Sequence, residues 1–355
     1  MRTNRNQQTM KLNFLPEVLA VLPILVASAT GASAQVTYSV TDLGSFNIGY
    51  ALSINSSGQI AMNPSGSLAL GYPLGKAIND GGQTAQGDFL YTGATATPLG
   101  YLPGGDTTGA IGINNSGQVV GVANTGRGTP YQAFLYSEGM MTDLGQGGAI
   151  AINNSGQVVG YTAVNRNLPN HAFLYSGGTI TDLGTLGGGV SYATAINNVG
   201  QVVGLSDTSG DLADHAFLYT GGTMIDLGTL PGTSISEAHG INDGGQIVGY
   251  TETPSGYGGF YAYHAFIDSD GTMTDLNSLI AANSGWTLIN AEGINNSGQI
   301  VGYGTNPSGQ TDAFLLTPVP EPATDALSVA GAAMLLLSRR IIGHRQSFKV
   351  HSHVN

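Results

Sequence analysis

Cysteine is absent from all 355 residues, so neither a disulfide nor a thiolate metal site braces this fold. Charge is nearly as scarce: 9% of the chain is Asp, Glu, Lys or Arg, against about 25% in an ordinary globular domain. Between Val36 and Pro318 the cations are Lys76, Arg127 and Arg166 alone, facing nineteen Asp and Glu, a formal balance of −16. Such a surface repels a phosphate backbone and argues against a nucleic-acid partner. Tryptophan occurs once, at Trp286. Hydrophobic residues at 41% and sixteen Tyr still argue against a disordered chain.

Glycine is what the chain has in excess, with 55 residues spread between short apolar runs. That pattern suits many short strands joined by tight turns, an all-β protein. One phrase recurs seven times: INSSGQ from Ile54, INDGGQ from Ile78 and Ile241, INNSGQ from Ile113, Ile152 and Ile294, and INNVGQ from Ile196. Successive starts lie 24, 35, 39, 44, 45 and 53 residues apart. Repeats of 20–50 residues mark a solenoid, a propeller or an array.

The unit from His171 to Tyr219 shows what one repeat builds. His171–Tyr175 is a β-prone run, and Gly177-Gly178 predicts a two-residue hairpin of positive φ leading to a strand over Thr179–Leu183. A Gly-rich connection leads to a third strand over Tyr192–Ile196. Asn197-Asn198-Val199-Gly200 then reads as a type I turn closed by a left-handed Gly, and Gln201–Gly204 as the fourth strand. Four short antiparallel strands in about 45 residues make one propeller blade. The first repeat starts on an Asp-Leu-Gly strand, Tyr38–Gly44, and the last ends on an Ala-Phe-Leu-Leu strand, Asp312–Leu316. Each end lacks what the other supplies, so the expectation is a β-propeller closed by pairing of its terminal strands. Seven phrases predict seven blades. The short spacing from Ile54 to Ile78 leaves a rival of six blades with an insertion after Gln59, or a seventh in which Ser67–Tyr72 replaces the Phe-Leu-Tyr strand.

His-Ala-Phe, Asp-Leu-Gly-Thr-Leu-Gly-Gly and the Ile-Asn-Asn phrase together resemble the HAF repeat of bacterial extracellular proteins, from about Val36 to Pro318. His171, His215 and His264 match the namesake His, whereas Gln132 and Asp312 depart from it. The resemblance implies export and no particular reaction.

Both ends read as addresses. Arg2, Arg5 and Lys11, then an apolar stretch near Leu19–Ala27 and the small residues Ala32-Ser33-Ala34, fit a signal peptide over 1–34. Cleavage after Ala34 gives a mature start at Gln35, with the repeat body over 35–318. From 319 to 340, Pro320-Glu321-Pro322, the apolar run Ala326–Leu337 and Arg339-Arg340 resemble the PEP-CTERM sorting signal of Gram-negative bacteria. That resemblance implies an exosortase-type processing enzyme as partner, transient anchoring in the inner membrane, and association with exopolysaccharide or surface glycans. Twelve apolar residues fall short of the roughly 20 that span a bilayer as a helix. The basic tail over 341–355 is longer than that signal usually carries.

Candidate chemistry is thin. The Asp of Asp-Leu-Gly recurs once per repeat, either lining a channel for cations or, more ordinarily, accepting hydrogen bonds from its own turn. The three repeat His sit on separate units, which argues against a shared zinc site. Calcium is weighed at Asp207–Asp211, with Asp214, and at Asp268–Gly271; neither has the spacing of a twelve-residue calcium loop, so no cofactor is expected. No catalytic motif appears, and Glu138, Glu237, Glu252 and Glu292 are scattered, with no pair suggesting glycosidase carboxylates. Trp286 and the loop Tyr257–Tyr263 are candidates to stack on a sugar. The expected function is an exported, non-enzymatic interaction module of the surface or matrix, with a polysaccharide-acting hydrolase or lyase as the alternative.

Overall fold

The computed structural model describes residues 36–45, 53–62, 77–162, 170–210, 213–253 and 262–320. The signal segment through Gln35, the run Ser67–Tyr72, most of the Tyr257–Tyr263 loop and everything from Glu321 onward, including Arg339 and Arg340, lie outside the described residues. Among those described, every regular element is a β-strand except one turn of 3₁₀-helix at Leu276–Ser278.

The strands form antiparallel sheets with a recurring order. In one, Gly187–Ile196 pairs with Val202–Thr208, that with Asp214–Thr220, and that with Thr223–Asp226. Ile235–Ile241, Ile247–Glu252, Tyr263–Ser269 and Thr272–Asp275 repeat the arrangement. So do Ala77–Ile78, Thr84–Gln86, Phe89–Thr92 and Thr95–Pro98. A seven-stranded sheet spans Thr108–Asp182 because Met140–Ile152 is one long strand, pairing first with Gln132–Ser137 and then with Val158–Thr162. Among the described residues, the Ile54 repeat contributes the pair Ser53–Ile54 and Ile60–Ala61.

The sheets do not follow the sequence-derived unit. His171–Ser176 and Thr179–Asp182 belong to one sheet, while Gly187–Ile196 and Val202–Thr208 open the next. Hydrogen bonding decides this: Val202–Thr208 pairs with the following Phe-Leu-Tyr strand, Gly204 opposite Phe217, through a hairpin of its own. The Gly-rich connection after Leu183 therefore crosses between sheets. Each four-stranded sheet runs phrase strand, Val-Val-Gly strand, Phe-Leu-Tyr strand, Asp-Leu-Gly strand, and the seven-stranded sheet runs that order twice through its shared long strand. The Gly177-Gly178 hairpin does take its expected form, with φ of +57° and +88°.

The two terminal strands pair. Thr37–Ser45 lies antiparallel along Thr311–Val319, from Thr37 opposite Val319 to Ser45 opposite Asp312. It completes the sheet begun by Thr287–Ile294 and Ile300–Thr305. Tyr38 is buried, and its N–H donates to Leu279 O at 2.8 Å.

One local device explains much of the repeat. Opposite each Val-Val-Gly or Ile-Val-Gly, the phrase strand shifts register, at Ala110/Gly112, Ala149/Ala151, Ala193/Ala195, Ala238/Gly240 and Ala291/Gly293. The bulge presses its backbone onto the glycine: a Cβ on Gly204 would lie 1.9 Å from Tyr192 O. On the other side that glycine faces the repeat Phe, as in Gly204 opposite Phe217 and Gly302 opposite Phe314. Phe134, Phe173, Phe217, Phe266 and Phe314 are all buried, each packed on Val or Ala of the preceding sheet or sheet half. Val301 and Ala313 of the last sheet pack in turn against Ile54, Ile60 and Met62. Burying one such Phe is worth about 3–5 kcal/mol against Ala.

Candidate functional site

The seven phrase turns meet around one small cavity of about 180 Å³. The local cause is the first Asn of each phrase. At Asn153 the carbonyl accepts from Gly156 N–H at 3.0 Å, closing a turn whose Gly has a φ of +76°. The Asn153 side chain then ties the turn together: Oδ1 accepts from Ser155 and Gln157 N–H, and Nδ2 donates to Gln157 Oε1 at 2.7 Å. Its remaining Nδ2 proton goes to Asn197 O, in the next repeat, at 3.1 Å. The same outward bond links Asn55 to Asn79, Asn79 to Asn114, Asn114 to Asn153, Asn197 to Asn242, Asn242 to Asn295, and Asn295 back to Asn55. All seven Asn are buried.

A second circuit lies toward solvent. The backbone N–H of Ser56, Asp80, Asn115, Asn154, Asn198 and Asp243 each donates to the side-chain oxygen of its counterpart in the next repeat. A seventh link would need an Asx at position 56, where the chain has Ser. Hydrogen bonds from Ser56 and Asn115 hold the Asp80 carboxyl below the usual range despite partial burial. Burial opposes ionisation of Asp243, but donors from Asn198 and Asn296 outweigh it and lower its pKa too. The mouth thus presents carboxamides and two carboxylates.

A second cluster was not legible as a motif. Glu237 and His239 stand two residues apart on one phrase strand, and Glu292 on the next. His239 Nε2 lies 3.4 Å from Glu237 Oε1, and Nδ1 lies 3.4 Å from Glu292 Oε2. Burial works against the imidazolium, yet Glu292 and Glu237 outweigh it and push its pKa up to about 10. Burial likewise opposes charge on Glu237, but His239 and the Tyr250 hydroxyl, which donates at 2.9 Å, hold its pKa below the usual value. Tyr250 sits edge-on to His239 and to Tyr263, with centroids 5.5 and 5.6 Å apart. Asn290 Nδ2 donates to Glu292 Oε1 at 2.9 Å. The reading of these glutamates as scattered is corrected here for Glu237 and Glu292: distant in sequence, they converge on one imidazole because neighbouring sheets place neighbouring repeat positions side by side.

The other candidates resolve simply. Asp42, Asp143, Asp182 and Asp226 each accept from the Gly N–H two residues on, and Asp275 from Asn277 N–H. Asp42, Asp182, Asp226 and Asp275 sit on the outermost strands of their sheets and Asp143 on the long shared strand, all away from the cavity, as turn caps rather than a channel lining. His171, His215 and His264 each pair through Nδ1 with the Asp of their own unit, at 2.9, 2.9 and 3.0 Å. Trp286 packs edge-on against Phe314 in the core. Asp268 Oδ1 accepts from Gly271 N–H, and burial raises its pKa, the reverse of a calcium ligand's need. Asp211 lies outside the described residues. Among the described residues no three His, Cys, Asp or Glu are arranged to hold a metal ion.

The fold defines an all-β protein of several antiparallel sheets. No protein-family model matches the chain, and no curated protein matches it. Among solved structures, it is similar to the crystal structure of TolB from Acinetobacter baumannii, at 12% identity and a TM-score of 0.39. The match covers 73% of this chain and 59% of that one, so this chain spans less than two thirds of TolB.

Proposed function

We propose that the chain is an exported protein of the cell surface or extracellular matrix, whose body is a closed seven-bladed β-propeller acting as a non-enzymatic interaction module. The observation that carries the architecture is the unbroken Asn-to-Asn circuit, in which Asn295 returns to Asn55. Seven equal links favour seven units over six with an insertion. The pairing of Thr37–Ser45 with Thr311–Val319 supports closure by the terminal strands. Export rests on the signal-like start with Ala32, Ala34 and Gln35 at its cleavage site. The PEP-CTERM-like end implies an exosortase-type enzyme as partner and exopolysaccharide or surface glycans as surroundings. A polar mouth of carboxamides and carboxylates suits a hydroxyl-rich neighbour better than an apolar one.

The convergence of Glu237 and Glu292 favours the enzymatic alternative, a polysaccharide hydrolase or lyase, as a second reading. It is the weaker one. A general acid needs a carboxyl whose pKa is raised, and Glu237 is held below its usual value by His239 and the Tyr250 hydroxyl.

Sorting provides the test. Replacing Pro320, Glu321 and Pro322 with Ala should trap the protein, uncut, in the membrane fraction of a host with an active exosortase, while the unmodified protein reaches the surface or matrix. Identical fractionation of both would remove the surface assignment.

A further inference from the structure

Two buried atoms of the cluster around His239 have no hydrogen-bond partner, His239 Nδ1 and Asn290 Oδ1. Asn290 is 5% exposed, and its Oδ1 has no hydrogen-bond partner, while its amide is fixed beside Glu292 by the Nδ2 bond. A buried acceptor without a donor calls for a missing partner. Most of the surrounding oxygens are acceptors. Glu237 and Glu292 offer four carboxylate oxygens, against donors from His239, Tyr250 and Asn290. Tyr303 lies across the strand pair from Asn290, and Tyr250 across from Glu237. The flank of the cluster is therefore aromatic and rich in acceptors.

Solvent reaches it. The side chains of Glu237, His239 and Glu292 keep 24, 17 and 20% of their exposure, and Tyr263 keeps 39%. The ionic demand of the two carboxylates is already answered by the imidazolium between them. What remains is a donor wanted at Asn290 Oδ1 and an acceptor wanted at His239 Nδ1, next to flat apolar faces, and a hydroxyl group supplies both.

We propose that Glu237, Glu292 and Asn290, walled by Tyr250, Tyr263 and Tyr303, form a binding site for one neutral sugar residue of a glycan. Hydroxyls would donate to the carboxylates and to Asn290 Oδ1, and the carbon face of the ring would lie on a tyrosine. His239 acts as a positioning residue that holds both carboxylates in place. The assignment deepens the glycan-associated reading above and depends on it.

The test is calorimetric titration of the full chain with maltohexaose, cellohexaose and mannohexaose, with spermidine as a cationic comparator. At least one hexasaccharide should bind, equally at low and high salt, and weaken about tenfold or more in Glu292→Gln and in Tyr263→Ala. Tyr263 is partly exposed, so its variant keeps the test valid if the other fails to fold, which a thermal melt reports. Sugar binding that survives both substitutions overturns the site and leaves the glycan-associated reading standing. Binding of spermidine in place of the sugars, or of none of these probes, overturns the site as well. The sorting experiment decides the wider reading independently.

Discussion

Asn295 donates an Nδ2 proton to the backbone carbonyl of Asn55 at 3.1 Å, across 240 residues of sequence. It is the same bond that joins every other pair of neighbouring phrases, and it makes the last repeat adjacent to the first. A buried Asn is satisfied only if both Nδ2 protons and Oδ1 find partners, and each of these seven uses all of them. The repeated phrase is thus the sequence of a joint.

Asn153 tests that joint. Asn153→Ala removes the bonds to Gln157 Oε1 and Asn197 O and leaves the Ser155 and Gln157 N–H groups without their acceptor. Chemical denaturation should show a loss of about 2–4 kcal/mol. Asn154→Ala, in the solvent-side circuit, forfeits the bond from Asn115 N–H and should cost under about 1 kcal/mol. Equal losses at the two positions would contradict the assignment of the inner Asn as the joint.

Gly204 tests the bulge. A methyl group there meets Tyr192 O at 1.9 Å, so Gly204→Ala must break the strand pairing or the bulge. A loss of at least about 3 kcal/mol is expected, measured by denaturation. Gly200→Ala has room, its nearest neighbour being Gln157 Oε1 at 3.4 Å, but carries a φ of +86°. Its expected cost is the left-handed penalty alone, about 1–2 kcal/mol.

The all-β class, the hairpin glycines, the turn and the pairing of the termini were legible because each is a local rule or a matter of order along the chain. Sheet membership was not, since the sequence does not say whether Leu183 is followed by a turn within a sheet or a crossing between two. The His239 cluster was hidden for a related reason. The residue two before the phrase Ile is Leu52, Lys76, Ile111, Ile150, Thr194, His239 and Glu292 in turn. Aligned by repeat rather than read along the chain, an imidazole and a carboxylate at this position on adjacent units stand out as a pair that can meet. Glu237, four before Ile241, joins them only once a strand puts alternate residues on one face.

His239 should make stability depend on pH in the alkaline range. Its folded pKa, about 10, exceeds the ordinary 6.5, so its stabilising effect is complete below pH 6.5 and is lost as pH rises toward 10. Glu237 has the opposite sign: its lowered pKa gives stability present above pH 4.5 and lost as pH falls below that value. Denaturation midpoints of the unmodified chain should decline from pH 7 to 10, and those of His239→Gln should decline less. Parallel curves would show that the imidazolium is not held by these carboxylates.

The pairing of the two terminal strands can be tested by truncation. Thr37–Ser45 is the outer strand of a sheet whose other three strands come from the far end of the chain. Tyr38 is buried in the core cluster that includes Ile280, Leu288 and Phe314, and Leu43 packs against the cluster of Val301 and Ala313. Deleting Gln35–Gly44 therefore opens the edge of Thr311–Val319 and uncovers part of two apolar clusters at once. Thermal unfolding should shift down by about 10 °C or more, given roughly 2–4 °C per kcal/mol for chains of about this size. A peptide of residues 36–45 added to the truncated protein should add itself back to that edge as a strand and recover part of the shift. A truncated protein that melts where the full one does, and ignores the peptide, would show that the two ends of the chain do not hold each other.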